Sequence, residues 1–168
     1  IEYLLKNNKF DHKDITELVV DIPSDRYHIV NDRKILSISA QHLIAVHLIK
    51  KKMGYVEAHD EKLFDDPEVV NLRKKIKAVS SDELAIARPE RQSKIRIKFS
   101  NNKELFYHAK SVRGTPDNPM DEKDIVAKSK RLLEVFKTSQ TDDLIDLILN
   151  KNFTINELVE LCNLNLKE

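Results

Sequence analysis

The side chains with the clearest chemical potential lie in one strongly apolar segment, residues 36–50. His42 is inside it, and Ser39 comes three residues earlier, which is about one turn of a helix. An imidazole can act as a general acid or base near neutral pH, and both side chains could face one cavity. The spacing alone is more typical of a core histidine that bonds a backbone carbonyl.

The pattern of histidines and cysteine predicts neither a metal site nor a bound cofactor. His42 and His47 are five residues apart, whereas helical ligand pairs are three or four apart. Cys162 is the only cysteine, which excludes an internal disulfide and a cysteine zinc site. With Gly54 and Gly114 as the only glycines, a glycine-rich phosphate loop cannot form. The remaining histidines are scattered: His12, His28, His59 and His108.

Two basic features could bind anions, and each has a simpler structural interpretation. Lys94, Arg96 and Lys98 alternate along a predicted strand, a pattern more often seen on the solvated face of a sheet. Arg113 begins a turn-rich stretch that leads into the next helix, and we interpret it as structural. The net charge is +1, from 29 basic and 28 acidic side chains, which does not predict a nucleic-acid-binding protein.

Composition predicts a water-soluble chain with a real core. Of the 168 residues, 40% are hydrophobic and 34% charged, and no apolar run is long enough to span a bilayer. We expect a cytoplasmic protein without a membrane partner. Cys162 lies among leucines and is expected to be buried. The opening residues read as the inside of a helix, so we expect the chain to be a fragment.

The first half of the chain is predicted to contain a strand and two buried helices. Residues 1–9 end a helix, residues 15–22 form a strand, and residues 24–34 are interpreted as a loop. Residues 36–50 are predicted as one buried helix that ends in a turn at Gly54. Asp66-Pro67 has the N-cap and first-position signals of another helix, with an apolar stripe of Val69, Val70, Leu72 and Ile76.

A hairpin and three helices are predicted for the second half. Residues 94–99 alternate strictly, Asn101-Asn102 suits a tight turn, and residues 105–112 return as a strand. Together with residues 15–22 they predict a small, mainly antiparallel sheet. Caps at Asp121, Thr141 and Thr154 then begin three helices, the first with an apolar side of Ile125, Leu132, Leu133 and Phe136. The fold class is therefore α+β, with an α+β domain over residues 1–115 and a helical segment over residues 116–168.

Several segments in this order resemble a known family. Residues 39–45 (SAQHLIA) resemble its buried S-x-x-Y-x-x-A helix, and residues 64–76 (FDDPEVVNLRKKI) its dp-x-v-x-x-L-x-x-k-I helix. Residues 113–120 (RGTPDNPM) are similar to its R-G-x-P-x-N-P-l loop, and Lys128 matches the lysine of the following e-x-x-x-K. The family is MmgE/PrpD, which includes 2-methylcitrate dehydratases, cis-aconitate decarboxylases and an iminodisuccinate epimerase.

The resemblance implies the C-terminal portion of a two-part lyase that acts on a small di- or tricarboxylic acid without metal or cofactor. The α+β part would be a lid, and the later helices would pack on a larger N-terminal helical domain of the same protein, often in a homodimer. The family's active-site tyrosine matches His42, so the resemblance implies a catalytic His42 and a substrate-binding Ser39. Its other catalytic residues match no position of this chain, which should therefore be inactive alone.

Two alternatives remain open at this stage. The chain could be a non-enzymatic α+β binding module whose face of Lys94, Arg96 and Lys98 docks RNA or an acidic protein. It could also be a family member that has lost catalysis, since an imidazole replaces the family phenol at His42.

Overall fold

The computed structural model describes residues 1–133, 135, 140–150 and 153–163. The chain forms two compact units, Ile1–Pro119 and Met120–Glu168. The first contains a four-stranded sheet with helices and the second contains helices, so the predicted α+β class is confirmed.

The sheet of the first unit combines one parallel and two antiparallel strand pairs. Its strands are β1 (Ile15–Pro23), β2 (Ile76–Ser81), β3 (Ser93–Phe99) and β4 (Glu104–Ala109), in the order β2-β1-β3-β4. β1 pairs in parallel with β2 and antiparallel with β3, and β3 pairs antiparallel with β4. The predicted mainly antiparallel sheet is confirmed, and so is the hairpin, where Asn102 takes a φ of 62°.

Short helices fill the connections of this unit. They are α1 (Glu2–Asn7), α2 (Ser24–Val30), α3 (Ala40–Lys50), α4 (Tyr55–His59), α5 (Pro67–Arg73) and α6 (Asp82–Ile86). Single 3-10 turns cover His12–Asp14, Leu36–Ile38 and Glu61–Leu63. The predicted cap at Asp66 is confirmed, because its carboxylate accepts hydrogen bonds from the backbone N–H groups of Glu68 and Val69.

One face of the sheet carries the hydrophobic core, as period-two alternation requires. Leu18 in β1 and Ile97 in β3 are fully buried and directly opposite each other. α3 and α5 cover this face with apolar side chains that reach zero exposure, namely Ala45, Val46 and Val69. The core therefore fixes the positions of α3 and α5 against the sheet.

Two predicted boundaries are wrong, each for a local reason. Residues 24–34 are not a loop throughout: α2 begins directly after Pro23 and packs on β1, β2 and α6, contacts that polar composition does not reveal. The helix predicted from residue 36 begins only at Ala40, because the hydroxyl of Ser39 caps it. It ends at Lys51, which takes the left-handed φ of 52° expected at Gly54.

Strand β2 was missed because Ile76 was assigned to the stripe of the preceding helix. α5 ends at Arg73, and Ile76 instead faces the core from the sheet edge, opposite Leu18. In the sequence only Ile76-Lys77-Ala78 alternates before the helix cap at Ser81, a pattern too short to distinguish this strand from the end of the preceding helix.

The other face of the sheet is a ladder of ion pairs. Lys94 contacts Glu83 at 2.8 Å, and Lys98 is 3.7 Å from Glu17. Arg96 donates two hydrogen bonds to Asp21, at 2.9 and 3.0 Å. Each cation of the basic stripe therefore lies beside a carboxylate. This pairing is unfavourable for the alternative in which Lys94, Arg96 and Lys98 bind RNA or an acidic partner.

The second unit consists, in its described part, of α7 (Glu122–Leu133), α8 (Thr141–Asn150) and α9 (Ile155–Asn163). The predicted capping box is confirmed, since Thr154 and Glu157 exchange hydrogen bonds of 2.7 to 3.3 Å. Cys162 was predicted to be buried and is exposed, because none of the described side chains of α9 is buried. Phe136, predicted on the apolar side of α7, lies outside the described residues. No described helix combines the length and apolarity needed to cross a bilayer.

Replacing Arg96 with alanine should destabilise the chain by about 1–3 kcal/mol, because a charged hydrogen-bond acceptor is left with little solvent. The Asp21 side chain is only 12% exposed, whereas Arg96 is 47% exposed, which favours the lower end of that range. Lys98→Ala is the matched control on the same strand face and should change stability by less than about 0.5 kcal/mol. Urea unfolding measures the free energy of unfolding of both variants. An equal decrease in the two variants would contradict the view that the Arg96–Asp21 pair is the stronger one.

Candidate functional site

His42 lies on the buried face of α3 and is 0% exposed. Neither ring nitrogen has a hydrogen-bond partner among the described residues. A buried polar atom without a partner costs stability, so most buried side-chain nitrogens and oxygens are bonded. The two ring nitrogens of His42 therefore make it a candidate for a role beyond packing.

Ser39 positions the helix that carries His42. It is the N-cap of α3, is 1% exposed, and accepts a hydrogen bond of 3.4 Å from the backbone N–H of His42. The hydroxyl is therefore bonded to the backbone of His42 and not to its ring. The structure gives Ser39 a capping contact, and its substrate-binding role remains a prediction.

Burial and a nearby cation keep the imidazole neutral. The pKa of His42 is lowered from its usual 6.5, first by desolvation and second by the positive charge of Arg73. At neutral pH the ring therefore carries one N–H donor and one acceptor nitrogen. Such a ring can donate a hydrogen bond to an anionic oxygen without bringing a charge of its own.

An aromatic side chain links His42 to Arg73, which lies in the last turn of α5. The Arg73 guanidinium carbon is 4.9 Å from the centroid of the Phe64 ring, a cation–π contact. The Phe64 centroid is in turn 6.1 Å from that of His42. Arg73 is thereby held in place next to the buried imidazole.

Arg73 also lines a basic cavity of about 450 Å³. One wall is cationic and comes from the end of α5 and the start of β2, with Arg73, Lys74 and Lys77. The opposite wall is a polar network in which Gln41 donates to Asn31 at 2.6 Å and accepts from the backbone of Asp32 at 2.8 Å. Gln41 is 6% exposed, so this wall is fixed.

The charges of this cavity suit an anion. Three cations face one carboxylate, that of Asp32. Lys77 is already engaged with Glu17 at 2.7 Å, which leaves Arg73 and Lys74 to attract a ligand. A guanidinium matches the two oxygens of a carboxylate with two parallel hydrogen bonds. The basic cavity can therefore bind a carboxylate next to the neutral ring of His42, although His42 itself does not line it.

Sequence reasoning located His42 and missed the cationic wall. Arg73 and Lys74 were placed within the predicted helix that runs to Ile76, and Lys77 was given no element, because β2 was not recognised. Only the turn from α5 into β2 brings the three side chains to one cavity. The family-like loop at Arg113 forms a tight turn. Gly114, at a φ of 89°, donates to the carbonyl of Asn118 at 2.7 Å. The described residues contain no group of three histidine, cysteine or carboxylate side chains able to hold a metal ion.

Replacing His42 with leucine should leave stability at pH 7 unchanged or raise it by about 1 kcal/mol, because two unpaired buried nitrogens are removed. It should also flatten the pH dependence of unfolding. A folded-state pKa below 6.5 means that the unfolded chain binds the proton more readily, so stability falls as pH drops below about 6.5.

Urea unfolding from pH 5 to 7.5 measures both effects. The His42 contribution to the slope is at most about 1.4 kcal/mol per pH unit, the limit for one proton. A loss of more than about 2 kcal/mol in His42→Leu at pH 7 would contradict this account, since it would mean that the ring has bonding partners.

Ser39→Ala should lower stability by about 1 kcal/mol through the lost cap, and Ser39→Gly by only a few tenths. Thermal unfolding of both variants checks the order. If alanine proved no worse than glycine, capping would not be the main contribution of Ser39 to stability.

The amino-acid sequence of the chain matches one known protein family. The family model of the MmgE/PrpD C-terminal domain matches residues 1–152, which cover both the basic cavity and the helix of His42. A search of curated proteins gives no match. Since the matched residues make up most of the chain, it belongs to the MmgE/PrpD family and corresponds to its C-terminal domain.

Proposed function

We propose that the chain is the C-terminal part of a metal-independent carbon–oxygen lyase acting on a small di- or tricarboxylic acid, with 2-methylcitrate as the first candidate. Family membership supports lyase chemistry in general. The substrate and the reaction are proposed from the resemblance together with the charges of the basic cavity.

The position of Arg73 is the observation that carries this proposal. Arg73 lines the basic cavity and also lies close enough to His42 to lower its pKa. A substrate carboxylate bound by Arg73 and Lys74 would thus lie near the one buried imidazole of α3 that has no partner in the described structure. This arrangement provides a charge for binding and a neutral donor for orientation.

The proposed reaction is elimination of water from a hydroxy acid. A base removes the proton α to a carboxylate, and the C–H electron pair forms the double bond. The C–O bond breaks as the hydroxyl group takes a proton from an acid and leaves as water. Negative charge builds up on the carboxylate during proton removal, and guanidinium and ammonium groups stabilise that charge. Arg73 and Lys74 are proposed for this role.

His42 is proposed to orient the substrate through a hydrogen bond from its neutral ring to a carboxylate or to the leaving hydroxyl. In the structure the ring is closed off from solvent, so contact requires a neighbouring side chain to move. Phe64 is the candidate, because it is only half-buried and lies between the ring and Arg73.

The remaining catalytic groups are proposed to come from an N-terminal helical domain of the same protein. The helical unit Met120–Glu168 would pack on that domain, and the complete enzyme would be a cytoplasmic homodimer. An apolar groove between α7 and α8, lined by Ile125, Leu132 and Ile148, is available for such packing. On this proposal the chain by itself binds substrate weakly and does not turn it over.

An assay of the protein that contains this chain and the helical domain tests the proposal, with dehydration of 2-methylcitrate and of citrate, and the reverse hydration of cis-aconitate, as the measured reactions. Arg73→Gln should raise KM by about tenfold or more, the cost of one charged hydrogen bond. His42→Leu should lower kcat, and His42→Tyr, which restores the phenol typical of the family, should retain more activity than leucine.

Lys103→Gln, on the exposed β3–β4 turn, is the control and should leave both constants unchanged. Activity on none of the three acids would refute the proposed substrates. Activity that is indifferent to both Arg73→Gln and His42→Leu would refute the assignment of the site.

A further inference from the structure

A second cavity, of about 280 Å³, lies at the opposite end of strand β2 from the basic cavity. The last pair of the parallel strands β1 and β2 is Pro23 with Ser81, and α2 and α6 begin directly after these residues. The cavity lies there, with the buried side chain of Leu84 beneath it. Ligands of sheets with parallel strands are commonly bound beyond the carboxyl ends of those strands.

Three arginines line this cavity: Arg26, Arg88 and Arg91, which we call the arginine cavity. The lining also includes two carboxylates, those of Asp25 and Glu90, so its side chains carry one excess positive charge. No arginine of the arginine cavity lines the basic cavity, so the two are separate sites.

The arginines are only partly neutralised by these carboxylates. Arg26 contacts Asp25 through Nε at 3.1 Å, which leaves its two terminal nitrogens available. Arg88 is held by the carbonyls of Ile86 and Ala87, at 3.4 and 3.0 Å, and lies 3.8 Å from Glu90. The residues that the structure describes provide no hydrogen bond or ion pair to the Arg91 side chain.

We infer that the arginine cavity binds a phosphoryl group, either free phosphate or the phosphate of a small metabolite. Guanidinium groups bind phosphate oxygens in pairs, and their charge is retained at any physiological pH. Arg26 and Arg91 each offer free nitrogens to such a group, and Arg88 is already oriented by two carbonyls. A phosphate dianion carries both of its charges on one group, so it gains more from three converging guanidinium groups than either single carboxylate of a dicarboxylate such as succinate does.

An NMR titration of the isotope-labelled chain with inorganic phosphate tests the inference, with sodium chloride added to keep ionic strength constant. We expect saturable shifts of the backbone amides of residues 24–26, 84–88, 90 and 91, and weaker binding of succinate. Arg91→Gln and Arg26→Gln should each weaken phosphate binding by about tenfold, as expected for one lost charged hydrogen bond. Lys103→Gln should leave it unchanged.

A second arm uses glucose 6-phosphate as the probe. Tighter binding than phosphate identifies a phosphorylated metabolite as the ligand class, and equal binding identifies free phosphate; both results support the inference. Circular dichroism confirms that the variants are folded. The inference is overturned if shifts do not saturate, if succinate binds as tightly as phosphate, or if binding responds to Lys74→Gln in the basic cavity and not to the arginine variants.

Discussion

The apolar face of the sheet is shielded from water because α3 and α5 pack across it. Leu18 and Ile97 on the strands and Val46 and Val69 on the helices are all fully buried in this contact. Hydrophobic burial is the main favourable term in folding and is not directional, so it holds the helices on the sheet but does not set the residue at which each helix begins, which depends on its cap. Ser39 and Asp66 cap α3 and α5 through their side chains. The site residues are carried by these two helices and by the turn that follows α5.

The same packing places a polar ring where the core would accept an apolar side chain. His42 lies on the buried face of α3, and no residue in the described part of the chain bonds either ring nitrogen, whereas Gln41, one residue earlier, bonds the side chain of Asn31 and the backbone of Asp32. The structure can therefore provide hydrogen-bond partners to a buried polar side chain on this helix, since it does so for Gln41. The unpaired ring of His42 lowers the stability of the fold, and residues that lower stability are expected at functional sites.

The sequence predicted the parts of the fold that depend on local pattern. The alternation of residues 94–99 identified β3, and the Asp66-Pro67 and Thr154–Glu157 signals identified helix starts. β2 was missed because it begins three residues after α5 and its first apolar residue, Ile76, fits the spacing of that helix. α2 was missed because its polar, charged sequence is also typical of a loop, and its contacts with β1, β2 and α6 are visible only in the structure. The basic cavity could not be predicted for the same reason. Its cations, Arg73, Lys74 and Lys77, come together only through the α5–β2 turn.

His42 was selected from the sequence by its place in an apolar helix and then by its match to the family tyrosine, but the surroundings of its ring were not predicted. The spacing predicted that His42 and Ser39 share a cavity, but in the structure the Ser39 hydroxyl accepts a hydrogen bond from the backbone N–H of His42 and caps α3. The cation that lowers the His42 pKa is Arg73, 31 positions later in the chain, a distance over which periodicity carries no information. Long-range electrostatic contacts of this kind require the tertiary fold.

The central claim is that a carboxylate ligand binds beside Arg73 and engages the neutral ring of His42. Nitrogen-15 spectra of the histidine rings in the labelled chain at pH 7, recorded with and without citrate, test it most directly. We predict a neutral His42 ring in the free chain, with a shift of its protonated nitrogen on citrate binding that is lost in Arg73→Gln. A His42 ring that carries protons on both nitrogens in the free chain, or a ring whose nitrogen signals do not change at saturating citrate, would contradict the claim.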